Sequence, residues 1–79
     1  MEIIETTKET ICTTLNWNPD DVQCDDLLNE HANWDSVNQL RVWMALEAAL
    51  GFKLPLKKYI VCRRINDVAD LAASVKHGA

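Results

Sequence analysis

Trp34-Asp35-Ser36-Val37-Asn38-Gln39-Leu40-Arg41-Val42-Trp43-Met44-Ala45-Leu46-Glu47-Ala48-Ala49-Leu50-Gly51 reads as the central helix of the chain, running from Ser36 to Leu50. Gly51 supplies the left-handed conformation that helix C-termini favour. At about 100° per residue, Val42, Trp43, Leu46, Ala49 and Leu50 fall on one apolar face. Val37, Leu40, Met44 and Ala48 form a second, set apart by Gln39 and Glu47 on one side and by Asn38 and Arg41 on the other. One face is enough for the core of a small bundle. The second stripe is therefore either packed on another helix or exposed as a partner-binding ridge beginning beside Ser36, and periodicity alone favours burial because apolar helical stripes are usually core.

Ser36 puts a hydroxyl where a long polar segment meets the start of this helix. The first N–H groups of a helix have no intrahelical partner and its dipole is positive there, so a phosphodiester on Ser36 would be favourably placed. Taken alone, the ordinary explanation of such a serine is capping, and Ser36 followed by Gln39 fits the capping-box spacing. The rest of the chain has to decide between the two.

Before this helix, Glu2 to about Leu15 shows Ile4, Ile11 and Leu15 near helical spacing, with Thr7 completing the stripe. Its threonines lower helix propensity, so packing of that stripe must supply most of its stability. Asn16-Trp17-Asn18-Pro19-Asp20 breaks the pattern, and a polar, acidic connection follows as far as Asp35. So long a connection fits a compact domain when apolar residues pin it to the core, and Val22, Leu27 and Leu28 are the candidates. Asp25-Asp26 is placed to cap a short turn before the two leucines. Beyond Pro55, Leu56 to Cys62 suits a short helix or irregular segment carrying Lys57 and Lys58 outward. Asn66-Asp67 then offers a cap for a last helix with the stripe Val68, Leu71, Ala72 and Val75, before a frayed tail from Lys76 to Ala79. No strand pattern appears, so the expectation is an all-α fold, a small four-helix bundle with a long first loop and a short third helix.

Seventy-nine residues, 48% of them hydrophobic, make a single domain over 1–79 with no room for a deep enzyme cleft. No clustered nucleophile, base and orienting group is found, which favours binding or carriage over catalysis. Residues 1–36 hold nine acidic side chains against Lys8, whereas residues 37–79 hold seven basic ones against Glu47, Asp67 and Asp70. With an acidic total and no basic stripe interleaved with aromatics, nucleic acid is not an expected partner. The charge polarity is suited to orienting the chain on a protein. Cys12, Cys24 and Cys62 lack paired spacing and read as free thiols, and His31 and His77 read as surface histidines rather than metal ligands. No long uncharged apolar run marks a secretory signal or a membrane span, so the expectation is a soluble cytoplasmic protein.

The order of these parts resembles the acyl carrier and peptidyl carrier protein family. The resemblance spans nearly the whole chain. It rests on Trp34-Asp35-Ser36-Val37, on Ala45-Leu46-Glu47 running to Gly51-Phe52, and on Ile65-Asn66-Asp67-Val68-Ala69-Asp70-Leu71 opening the last helix. It implies a bundle of the acyl carrier type and a non-catalytic carrier whose Ser36 receives 4′-phosphopantetheine from coenzyme A through a phosphopantetheinyl transferase. The thiol of that arm would hold an acyl or aminoacyl group as a thioester. Asp35 matches the acidic residue that helps bind the transferase and its metal, and Val37 stands where the family usually has leucine.

The same resemblance implies a partner surface of Val37, Leu40, Arg41, Met44 and Glu47, with the ridge Val37, Leu40 and Met44 at least partly exposed and Leu46 facing the core. The implied partners are a loading ligase (an adenylation enzyme) or acyltransferase, and downstream condensing, transfer or tailoring enzymes. A monomer with no membrane association is expected. Asn38, Arg41 and Ala48 depart from the family, occupying positions where fatty-acid carriers commonly have acidic residues. Charge matching chiefly sets encounter rate and partner choice. A dedicated carrier of a polyketide, nonribosomal peptide or related aminoacyl-transfer pathway therefore fits better than a carrier of fatty-acid synthesis. The rival reading, from another class, is a helical protein-interaction module without a prosthetic group, in which Ser36 merely caps.

Overall fold

The computed structural model describes residues 3–78. Among them the chain forms four α-helices, α1 (Ile3–Leu15), α2 (Ser36–Leu50), α3 (Leu56–Tyr59) and α4 (Ile65–Lys76), and no strand. The expected small all-α bundle, with its long first loop and short third helix, is the fold observed. α1 lies against both α2 and α4, and α3 touches α4.

Thr7, Ile11, Cys12 and Leu15 are the buried side chains of α1. The stripe is headed by Ile3, which packs on the core, whereas Ile4 is exposed. The reason is register: positions 3, 7, 11 and 15 repeat every four residues and stack along one face. The expected start at Glu2 lies outside the described residues. Thr7 is fully buried, and its hydroxyl has no hydrogen-bond partner among the described residues. The helix stops at Asn16, whose left-handed φ of 58° lets the Trp17 N–H fold back onto the Cys12 carbonyl at 2.8 Å.

The long connection contains two single turns of 3-10 helix, Pro19–Asp21 and Leu28–Glu30. Asn18 caps the first through its side chain. Val22 and Leu28 are the buried pins, as their apolar character in an acidic stretch requires. Leu27 is only half-buried and contributes through its backbone, in an isolated antiparallel bridge to Arg64. The Leu28 N–H donates to Arg63 O at 2.8 Å, the Asn66 N–H to Cys24 O at 3.0 Å, and Arg64 Nε to Asp25 O at 2.9 Å. The loop is thus sewn to the start of α4.

Asp26 does not cap the leucine turn. Its carboxylate accepts the Gln23 N–H at 2.9 Å and meets His31 Nε2 at 3.1 Å. The Gln23 N–H, with His31 adding to it, holds the Asp26 carboxyl below its ordinary range. His31 also packs on Trp17, ring centroids 5.0 Å apart, so it is a structural side chain of the loop.

α3 ends at Tyr59, earlier than the limit expected at Cys62, and Tyr59 is fully buried at the centre of the core with Ile11, Val42, Leu46, Leu54, Ile65 and Val68. α4 begins at Ile65, before the expected cap. Asp67 lies inside the helix and its carboxylate accepts the N–H groups of Arg63 and Arg64 at 3.2 and 3.1 Å. Ile65, Val68, Ala69 and Ala72 are its buried face, with Leu71 and Val75 half-buried beside them. All three cysteines are free thiols, and burial pushes those of Cys12 and Cys62 above their ordinary pKa. No helix of the described residues is long and apolar enough to cross a membrane.

Candidate functional site

The start of α2 is built one residue away from where the capping-box spacing puts it. Asp35, not Ser36, is the N-cap: its backbone is extended (φ −131°, ψ 178°) and its Oδ1 accepts the Asn38 N–H at 2.9 Å. Asp and Ser cap about equally well. The choice is made by the turn before it, where Asn33 takes a left-handed φ of 69°, its carbonyl accepting both the Asp35 N–H at 3.1 Å and the Asn38 side-chain amide at 2.9 Å. Gln39 does not reach back to a cap. Its side-chain amide donates across to Ile60 O at 3.2 Å.

Ser36 is consequently the first helical residue, exposed, with a hydroxyl that has no capping duty. Asp35 satisfies the N–H groups of Asn38 and Gln39 through its side chain and carbonyl, and the N–H groups of Ser36 and Val37 precede any intrahelical acceptor. The segment leading into Ser36 is held by aromatic packing. Trp34 is half-buried against the core, 6.2 Å from Trp17 between centroids, and the Trp17 indole donates to Ala32 O at 2.7 Å. Ser36 thus stands at the head of a capped helix whose lead-in is packed on the core, not in the middle of a loop.

The second stripe of α2 is exposed, contrary to what periodicity alone favours. Val37 is 70% exposed, Leu40 42% and Met44 57%. The bundle closes on the other face, through Val42 and Leu46, and among the described residues no further helix covers this one. Arg41 is exposed on the same side, its Nη1 donating to Asn38 Oδ1 at 3.0 Å. Glu47 is only half-buried, and its carboxylate accepts the Leu54 N–H at 2.8 Å, while the Trp43 indole donates to Leu54 O at 3.0 Å. Of the expected partner surface, Val37, Leu40, Arg41 and Met44 thus come together on one open face, and Glu47 is committed to holding the α2–α3 connection.

Two residues of this region escaped the sequence reading. Ile60 and Val61, just after α3, are 47% and 70% exposed and lie beside the first turn of α2 through the Gln39–Ile60 hydrogen bond. Two adjacent β-branched apolar residues outside any periodic stripe were the available signal. With Leu27, Trp34, Gln39 and Arg63 they line an open cleft of about 450 Å³. Ser36 stands in the chain between two of its walls, Trp34 and Gln39. Among the described residues, no group of three or more His, Cys, Asp or Glu side chains is placed to hold a metal ion.

No protein-family model matches the sequence, and no curated protein matches it either.

Proposed function

We propose that this chain is a carrier domain that holds acyl or aminoacyl intermediates as thioesters on a 4′-phosphopantetheine arm joined to Ser36. The observation that carries this reading is the division of labour between Asp35 and Ser36. Asp35 does the capping, which leaves the Ser36 hydroxyl exposed at the head of an uncovered apolar ridge. A serine kept only for helix stability has no need of such surroundings. The resemblance of Trp34-Asp35-Ser36-Val37 and its flanking helices to acyl and peptidyl carriers supports the same reading.

In this reading Ser36 Oγ attacks the β-phosphorus of coenzyme A on the transferase. The Ser36 proton leaves to a base of that enzyme, and 3′,5′-ADP departs as the phosphodiester forms. Asp35 serves the transferase and its metal, and the thiol at the end of the arm takes the cargo. The chain itself does no chemistry on the cargo; it presents the arm and supplies the face onto which partners dock. With Arg41 exposed on that face and Glu47 bound to Leu54, the α2 surface lacks the acidic character that suits fatty-acid partners. A dedicated carrier of a polyketide, nonribosomal peptide or related pathway fits it better, loaded by an adenylating ligase or an acyltransferase.

The exposed ridge would also serve a helical interaction module with no arm, and one experiment separates the two. Incubation with coenzyme A and a broad-specificity phosphopantetheinyl transferase is expected to raise the intact mass by one phosphopantetheine, with Ser36→Ala unmodified. A wild-type chain that stays unmodified beside a competent transferase identifies the module. Modification persisting in Ser36→Ala overturns the site.

A further inference from the structure

The exposed large apolar residues of this chain are gathered almost wholly on two neighbouring segments. Val37, Leu40 and Met44 lie on α2, Leu56, Ile60 and Val61 lie on and after α3, which is bonded to the first turn of α2 through Gln39, and among the described residues only Ile4 is a large exposed apolar side chain elsewhere. Between Val37 and Arg63 the chain carries five basic side chains and one acidic one, Glu47. Arg41 rises beside Val37 and Met44, one turn from each along α2. Lys57 and Lys58 follow Leu56, and Arg63 shares the cleft with Ile60 and Val61. All four are exposed, and none has a carboxylate within salt-bridge distance among the described residues, where the sole ion pair is His31 with Asp26. The acids bordering these segments, Asp35, Glu47 and Asp67, accept the backbone N–H groups of Asn38, of Leu54, and of Arg63 and Arg64.

We infer that this face docks a protein partner whose contact surface has an apolar centre and an acidic rim. Four unpaired cations around desolvatable side chains favour a partner of opposite sign, both by steering encounter and because a basic rim would be repelled. A second copy of this chain fits poorly: its acidic half, residues 1–36, has the charge but offers only Ile4 as a large exposed apolar side chain among the described residues, so the ridge would be buried against polar surface. The surface is read from the side chains alone. That the partner also works on an arm at Ser36 rests on the carrier reading.

The test uses the intact chain carrying Ser36→Ala, so that no arm is involved and failure of the carrier reading leaves the result untouched. Two synthetic amphipathic helical peptides share one Leu/Phe stripe and differ only in their flanks, Glu in one and Lys in the other. Titrated into the ¹⁵N-labelled chain at low salt, the Glu peptide is expected to shift amides of residues 37–44 and 56–63. It should bind about tenfold or more tightly than the Lys peptide, the gap closing as salt is raised. Arg41→Glu together with Lys57→Glu and Lys58→Glu should reverse the preference while leaving the helical circular dichroism unchanged. Equal binding of the two peptides overturns the inference, as do shifts confined to residues 16–35. Perturbation of the same amides by phosphatidylserine vesicles, with none by the Glu peptide, assigns the face to anionic lipid and overturns it too. Concentration-dependent self-association that shifts these amides would do the same in favour of a second copy.

Discussion

The phenol of Tyr59 donates a hydrogen bond to the carbonyl of Gln39 at 2.7 Å, while the side-chain amide of Gln39 donates to the carbonyl of Ile60, the next residue, at 3.2 Å. Two bonds running in opposite directions therefore tie the one-turn helix α3 to the first turn of α2. A four-residue helix has little stability of its own. These bonds and the burial of Tyr59 set the position of Ile60 and Val61 beside the first turn of α2.

Tyr59→Phe keeps the ring and removes one bond, leaving the Gln39 carbonyl without its donor. The cost is expected to be about 1 kcal/mol near neutral pH. Burial pushes the Tyr59 phenol well above its ordinary value of 10.0, so in the folded chain it stays protonated where the unfolded chain has already lost its proton. Unfolding then releases a proton, and stability falls as pH rises beyond the ordinary value. The variant lacks this loss. Urea denaturation at pH 7 and above pH 10 should show the gap between wild type and Tyr59→Phe narrowing at the higher pH; a constant gap would mean that Tyr59 ionises as readily folded as unfolded.

The Asp35 cap makes a contrast between neighbours. Asp35→Ala should cost about 1 kcal/mol, because the Asn38 N–H loses its acceptor. Ser36→Ala, which removes no cap, should stay within about 0.5 kcal/mol of wild type. Chemical denaturation of both variants checks this, and equal losses would return the capping role to Ser36.

Thr7 buries a hydroxyl that finds no acceptor among the described residues. Thr7→Val replaces it with a methyl group of nearly the same size and similar helix propensity, so the variant should be more stable by about 1 kcal/mol. A lower urea midpoint for Thr7→Val would reveal a hydrogen bond at this position.

Where the sequence and the fold diverge, the decisive contacts are distant in the chain. α2 was legible from Ser36 to Leu50, and so was the Gly51 stop with its φ of 80°, because periodicity and a left-handed glycine are local signals. Val22 and Leu28 could be named as pins because burying an apolar side chain in an acidic loop has few alternatives. The cap of α2 was misplaced by one residue because Asp35 and Ser36 have similar intrinsic preferences, and the turn at Asn33 decided between them. Gln39 looked like half of a capping box, yet its partner is Ile60, which no local pattern identifies. Whether Val37, Leu40 and Met44 were core or surface was likewise beyond periodicity. That depends on how many helices the chain has left to cover them: α3 is a single turn, and α4 packs on α1.

The two faces of α2 give the sharpest separation of stability from interaction. Leu46 is fully buried in the core cluster with Val42, Tyr59 and Val68, whereas Met44, two residues earlier, is 57% exposed. Leu46→Ala should cost roughly 2–5 kcal/mol through lost transfer free energy and the cavity left behind. That is a large share of the stability of so small a domain, and partial unfolding at 25 °C is an expected outcome. Met44→Ala removes side-chain atoms that water already reaches, so its cost should stay below about 0.5 kcal/mol. Its penalty should appear in acyl transfer from the arm to a partner enzyme, as for a residue that excludes water at the centre of an interface. Denaturation of both variants, run beside a transfer assay on the phosphopantetheinylated forms, separates the effects. If Met44→Ala destabilised the fold as strongly as Leu46→Ala, the second stripe would be part of the core, and the docking face would have to be sought around Lys57 and Lys58 or along the acidic loop.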